Sequence, residues 1–96
     1  MLVYPLFENA LRAAEGLTRA EHRARLGALW ARFSEIAAAN PHALSRTAYT
    51  AEEVVTPSPG NRMIGFPYPK LLNSNLFVDQ GAALILCSVA TARDLG

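Results

Sequence analysis

The chain contains few of the residues on which disulfides, metal sites and thiol chemistry depend. Its 96 residues include one cysteine and two histidines. One cysteine excludes an internal disulfide framework, so we expect a cytoplasmic protein. His22 and His42 do not stand at metal-ligand spacing from each other or from a carboxylate pair. The sequence therefore predicts no metal site, and each histidine is expected at the surface or at a cap.

Net charge and long apolar runs are also scarce. The net charge is +1, which offers no general attraction for nucleic acid or for an anionic membrane. The longest strongly apolar run, residues 82–87, is far shorter than the roughly 20 residues that a membrane-spanning helix needs. The first residues lack the basic region and long apolar core of a signal peptide. We therefore expect a soluble chain with neither a membrane partner nor a nucleic-acid partner.

What the chain does contain is apolar side chains in number. Hydrophobic residues make up 51% of it, which is too many for an intrinsically disordered protein. A chain of this length forms at most one small domain. We expect residues 1–96 to be a single small unit with three parts: a helical hairpin (1–41), a loop-rich segment (42–81), and a strand with the start of a helix (82–96).

The first helix of the hairpin is predicted over about residues 5–15. Pro5 suits the first turn of a helix, where its missing N–H costs nothing, and Gly16 is a typical C-terminal stop. Apolar residues recur on one face between these limits.

The second helix is predicted over about residues 19–39. Thr18 and Glu21 have the spacing of a capping box. Asn40–Pro41 ends the helix, because the residue before a proline is excluded from the helical region. Its apolar residues form a single stripe, which predicts a face packed in the core: Leu26, Leu29, Trp30, Phe33, Ile36 and Ala37.

The middle part of the chain is predicted to be mostly loop. Thr50 and Glu53 form a second capping box that opens one or two helical turns. Residues 56–61 are dense in turn formers. Residues 63–64 are expected to be briefly extended, and the prolines in 66–69 exclude a central strand there.

The last part is predicted to contain a strand and a helix start. Residues 82–87 are apolar without alternation, as in a strand buried on both faces. A lone strand has no ladder partner, which indicates a fragment or an obligate partner. Ser88 caps a final helical segment that ends at Gly96. The predicted fold class is mainly α with one short buried strand.

Few residues suggest chemistry on their own. Cys87 ends the apolar run, where a thiol is usually an unreactive packing residue, although a helix start directly after it could activate it. Glu52 and Glu53 would diverge on a helix, which does not suit an acid–base pair. Phe66 and Tyr68 could form a lid over a ligand or anchor a loop. No catalytic residue is predicted.

The polar loop Asn73–Ser74–Asn75 is the candidate binding element. Its side chains offer both donors and acceptors shortly before the predicted strand. Such groups could bind the amides of an extended ligand. They could equally cap backbone groups in an Asx turn. Both interpretations remain open on the residues alone.

The stretch from Asn73 to Ser88 resembles a segment of thiolases, which transfer acyl groups to and from coenzyme A. That segment reads Asn-Ala-Ser, a few residues, Asp-Gly-Ala-Ala-Ala and an apolar strand closing in Ser. Asn73, Asp79, Ala82, Ala83 and Ser88 stand at matching positions, followed by Ala-Arg-Asp-Leu-Gly over 92–96.

The earlier part resembles the sterol-carrier-type thiolases and bacterial thiolase-like proteins. An alanine-rich helix ending in Asn40–Pro41 and a Thr-x-Glu-Glu-Val-like segment over 50–54 occur there in the same order. The resemblance implies a fragment of an α/β thiolase fold: a loop-domain segment that covers the coenzyme A, plus the last strand of the N-terminal half-fold. That strand belongs to a five-stranded sheet in the family.

The resemblance also implies where a cofactor contact would lie. The family's serine that contacts the pantetheine arm matches Asn75, and Asn73, Ser74 and Asn75 are the implied coenzyme A contacts. No tightly bound cofactor is implied, since the coenzyme A thioester is the substrate of the parent enzyme. Gln80 stands where most members carry glycine.

The family's nucleophilic cysteine, its histidine and its second cysteine have no matching positions here, and Cys87 is none of them. The resemblance therefore implies a piece of an acetyl-CoA acetyltransferase-type enzyme that is not catalytically competent alone. Its expected partners are acyl-CoA in the parent enzyme and either further copies or the remainder of a thiolase fold. The alternative is a standalone helical protein-interaction module that uses the Trp30/Phe33 face.

Overall fold

The computed structural model describes residues 3–75 and 77–96. In chain order the elements are α1 (Val3–Ala14), α2 (Arg19–Ala39), α3 (Ala51–Val55), β1 (Met63–Gly65), β2 (Tyr68–Pro69), a 3-10 turn (Lys70–Leu72) and α4 (Val89–Leu95). The described part of the chain is thus mainly helical with one short two-stranded sheet, which confirms the predicted helical class.

The ends of the first two helices follow from local capping. The Thr18 hydroxyl accepts a hydrogen bond from the Glu21 N–H at 3.2 Å, and the Glu21 carboxylate accepts one from the Thr18 N–H at 2.8 Å. Both halves of the predicted capping box are therefore present. Gly16 follows α1 with a φ of 69°, a left-handed conformation that a side chain would strain.

The third helix packs closely against the second. A matching capping box joins Thr50 and Glu53 at the start of α3. Gly27 is buried in α2 where the two helices meet, and a Cβ atom placed on it would lie 2.6 Å from the Ala51 carbonyl oxygen. Glycine at this position allows the two backbones to approach. The small core lies beside this contact and consists of Leu26, Val54, Val55 and Leu72, with Tyr49 and Tyr68 packed against it.

Much of the predicted apolar stripe of α2 lies outside this core. Leu26 is buried, whereas Leu29, Trp30, Phe33 and Ile36 are each more than a third exposed. Two polar pairs connect this region to α2: Glu8 of α1 with His22, and Glu15, which follows α1, with Arg25. The large apolar side chains of α1 are themselves exposed, and Pro5 is buried. The stripe is correctly placed on one helix, but the described residues bury only a small part of it.

The sheet is a short antiparallel hairpin. Met63 pairs with Pro69 and Gly65 with Tyr68, with an irregularity between them. The Lys70 N–H donates to the Arg62 carbonyl at 2.9 Å. The expectation of a brief extended piece at residues 63–64 is confirmed.

The expectation of a buried strand over residues 82–87 is wrong for the chain by itself. These residues form no regular secondary structure and no strand pairing, and Leu84, Ile85 and Leu86 are about nine-tenths exposed. Cys87 is also exposed, so it is not the packing residue that its apolar neighbours suggested. The physical reason is that a strand needs a neighbour for its backbone groups, and β1–β2 does not supply one. Ser88 caps α4 as predicted, accepting from the Thr91 N–H at 3.1 Å.

None of the helices within residues 3–75 and 77–96 combines the length and the apolar character required to cross a bilayer.

Candidate functional site

The predicted contact loop, Asn73–Ser74–Asn75, follows the 3-10 turn directly. Asn73 is half-buried, and Ser74 and Asn75 are exposed. The Asn73 amide donates to the Pro69 carbonyl at 2.7 Å, and the Asn75 side-chain oxygen accepts from the Phe77 N–H at 3.1 Å. Both asparagine side chains therefore bond to nearby backbone groups, as the interpretation of the loop as a local backbone cap predicts. Among the described contacts, the Asn73 side-chain oxygen and the Asn75 amide nitrogen keep unused hydrogen-bonding capacity.

Asn61 connects α3 to the turn that precedes this loop. It is 4% exposed, and its amide nitrogen lies 3.1 Å from each of the carbonyl oxygens of Glu53, Val54 and Thr56. Its side-chain oxygen accepts from the Leu71 N–H at 2.8 Å. Asn61 thereby satisfies the free carbonyls at the end of α3. The sequence identified Asn61 only as a turn former. Its bonding partners are backbone groups at the end of α3 and in the 3-10 turn, which no residue pattern reveals.

A cavity of about 420 Å³ lies next to Asn61. It is lined by Tyr49, Glu52, Glu53, Thr56, Ser58, Gly60, Asn61 and Leu71. Asn73, Ser74 and Asn75 do not line it, so the structure does not bring the predicted contact loop together with this cavity.

The carboxylates beside this cavity are engaged in structural hydrogen bonds. The pKa of Glu52 is lowered by the hydrogen bond from Thr56 and then by Arg23, whose guanidinium lies 2.8 Å away. The pKa of Glu53 is lowered by the N–H and the hydroxyl of Thr50. Both groups are held as anions in the first turn of α3, which does not suit a proton-transferring pair.

A second polar cluster joins three elements: Glu8 of α1, His22 of α2 and Tyr68 of β2. Tyr68 donates a hydrogen bond to Glu8. The His22 Nε2 lies 2.8 Å from a Glu8 oxygen without forming a hydrogen bond to it. Burial, followed by the bond to Glu8, raises the pKa of Tyr68 above its ordinary value. Tyr68 is therefore an anchor rather than a lid.

His22 is buried, which corrects the expectation of a surface histidine. It is 4% exposed, and its Nδ1 has no hydrogen-bond partner within the described ranges. It lines a cavity of about 210 Å³ together with Glu8, Leu26, Trp30 and Tyr68. A signal was present in the sequence, since His22 stands four residues before Leu26 and so shares its helix face.

Within residues 3–75 and 77–96, no three metal-binding side chains of the His, Cys, Asp or Glu types converge on one point. Cys87, the single thiol, is exposed and lines neither of the two cavities above.

The comparisons with known proteins point to one fold. No protein-family model matches the chain, and none of the curated proteins matches it. Among solved structures, the chain is similar to a monomeric SCP2-thiolase-like protein of type 1 from Mycobacterium smegmatis. The two are 44% identical with a TM-score of 0.61, over 66% of this chain and 14% of that protein. The chain therefore matches about one seventh of that protein's length, and its architecture is that of a fragment of an SCP2-thiolase-like fold.

Proposed function

We propose that this chain is the part of a thiolase-like acyl-CoA acyltransferase, of acetyl-CoA acetyltransferase type, that covers the coenzyme A. The observation that carries the proposal is the 44% identity to an SCP2-thiolase-like protein across two thirds of the chain. A standalone helical interaction module would give no reason for that likeness.

The proposed coenzyme A contacts are Asn73, Ser74 and Asn75. Two of these side chains are exposed, and the two asparagines keep one donor and one acceptor group beyond their local bonds. The pantetheine arm of coenzyme A carries amides that need both kinds of partner. An acyl-CoA thioester is the proposed substrate of the complete enzyme, and no tightly bound cofactor is proposed.

The chain by itself is proposed to be catalytically silent. Glu8 and Glu52 take part in hydrogen bonds between structural elements, and Glu53 takes part in the capping box of α3. The one thiol, Cys87, is exposed, and the resemblance to thiolases assigns the nucleophile to another part of the fold.

Residues 82–87 are proposed to pair with a strand from the remainder of a thiolase fold. Their exposed apolar side chains and unpaired backbone support this proposal, because an unpaired strand attracts another strand. Size-exclusion chromatography with light scattering tests whether a second copy provides that strand instead.

The single cysteine also supports a cytoplasmic location.

Calorimetric titration with coenzyme A and a thiolysis assay with acetoacetyl-CoA test the function. We expect binding without turnover. Asn75→Leu should weaken binding, and Asn75→Ser, which restores the residue of the family, should retain it. Turnover would contradict the proposal: its loss in Cys87→Ala would make Cys87 a nucleophile, and its survival would place the nucleophile elsewhere in the chain. Oligomerisation without coenzyme A affinity would favour the interaction module.

A further inference from the structure

We infer that Asn61 is a positioning residue for the coenzyme A contact, acting through the 3-10 turn that carries the loop Asn73–Ser74–Asn75. The inference rests on the proposed function of that loop. Asn61 itself is 4% exposed and is not offered as a ligand contact.

The hydrogen bonds of Asn61 require an amide side chain. Its nitrogen faces three carbonyl oxygens at 3.1 Å, and its oxygen faces the Leu71 N–H at 2.8 Å. A carboxylate could accept from Leu71 but could not donate to the carbonyls, and it would bring a negative charge close to them. An aliphatic side chain would satisfy neither side. Asn61 is thus a two-sided connection between the end of α3 and the turn.

The turn transmits this connection to the loop. Leu71 lies in the middle of Lys70–Leu72. The Asn73 N–H donates to the Lys70 carbonyl at 3.1 Å, and the Asn73 amide donates to the Pro69 carbonyl at 2.7 Å. The backbone that positions Asn73 is therefore fixed by Asn61 on one side and by the β hairpin on the other.

The loop has little support beyond that point. Ser74 and Asn75 are exposed, and the bond described for the Asn75 side chain reaches only to Phe77. The position of these groups depends on the turn rather than on packing. Ordering the loop before a ligand arrives reduces the entropic cost of binding. Asn61 therefore affects affinity without touching the ligand.

Asn61→Asp is the variant that tests this, and Gly16→Ala is its control. Gly16 follows α1 with a φ of 69°, so a side chain there strains the backbone and lowers stability without touching the 3-10 turn. Both variants lose stability, so both are measured at a temperature where each is folded. The readouts are the dissociation constant for coenzyme A and amide hydrogen exchange of residues 70–75.

We expect Asn61→Asp to raise the dissociation constant about tenfold, because binding must then reorder the released turn at a cost comparable to one hydrogen bond. It should also accelerate exchange at residues 70–75, whereas Gly16→Ala should do neither. Equal weakening by Gly16→Ala would overturn the inference, because Asn61 would then act only through general stability. Unchanged affinity and exchange in Asn61→Asp would also overturn it.

The outcomes separate this inference from the proposed function. If the unaltered chain does not bind coenzyme A, the proposed function fails and the inference fails with it. If the unaltered chain binds and Asn61→Asp binds equally well, only the positioning role fails.

Discussion

Replacing Gly27 with alanine is expected to destabilise the chain, although alanine is the better helix former. A Cβ atom at this position would lie 2.6 Å from the carbonyl oxygen and 3.2 Å from the carbonyl carbon of Ala51. The obstructing atoms belong to the backbone, so no side chain can rotate away. Either α3 moves or its capped first turn distorts.

Two opposing effects decide the size of the loss. Alanine in a helix interior is favoured over glycine by about 1 kcal/mol. Extra atoms in a well-packed site cost about 1–3 kcal/mol, and a clash with backbone belongs at the upper end of that range. The net loss should therefore be about 1–2 kcal/mol. For a domain of this size, each kcal/mol lowers Tm by roughly 4–8 °C.

Thermal unfolding followed by circular dichroism measures this loss. Ala28→Gly is the matched control, because Ala28 is the next residue of α2 and is exposed. It should report the helix propensity alone and cost about 1 kcal/mol. If Gly27→Ala raised Tm by the amount that Ala28→Gly lowers it, propensity would be the only effect, and the close approach of α2 and α3 would be refuted.

Three further predictions concern charge and exposure. The pKa of Glu53 is lowered by its bonds to Thr50, so the helicity that these bonds support should be present above pH 4.5 and lost as pH falls below it. Circular dichroism should show a smaller loss of helicity on acidification in Glu53→Gln. The pKa of Tyr68 is raised, so its contribution to stability should be complete below pH 10 and decline at higher pH. Urea unfolding of Tyr68→Phe should show a smaller decline in the free energy of unfolding above pH 10. If the decline is as large as in the unaltered chain, Tyr68 is not its cause. Cys87 is exposed, so a thiol reagent should modify it without denaturant, and slow modification would show that the segment is covered.

The helix ends could be predicted from the sequence because the interactions that set them are local. A capping box needs two side chains three residues apart, and Thr18 with Glu21 and Thr50 with Glu53 satisfy that pattern in the structure. The predicted limits of α2 match the observed ones for the same reason. The thiolase-like fold was also predictable, because the Asn73–Ser88 segment carries a recognisable order of residues.

Burial could not be predicted in the same way, because it depends on segments distant in the chain. The buried position of Asn61 depends on hydrogen bonds to carbonyls at the end of α3 and to the 3-10 turn. His22 is enclosed by α1 and by β2, and its partner Glu8 lies 14 residues before it in the sequence. Apolar periodicity places residues on a helix face but does not say whether anything covers that face. The contact loop Asn73–Asn75 was located by resemblance, and its coenzyme A role remains a prediction.

Residues 82–87, which do not form their predicted strand, expose apolar side chains that such a strand would have buried. Folded soluble monomers rarely expose large continuous apolar patches. Here Leu84, Ile85 and Leu86 are about nine-tenths exposed, and Phe33 of α2 is half exposed. The described residues therefore do not cover residues 82–87 or the apolar face of α2. The aligned region spans 14% of the similar SCP2-thiolase-like protein, so a complete thiolase fold has ample further chain to provide that cover. Pairing of residues 82–87 with such a strand would also bury Cys87. The rate of thiol modification therefore reports on whether the proposed partner strand is present.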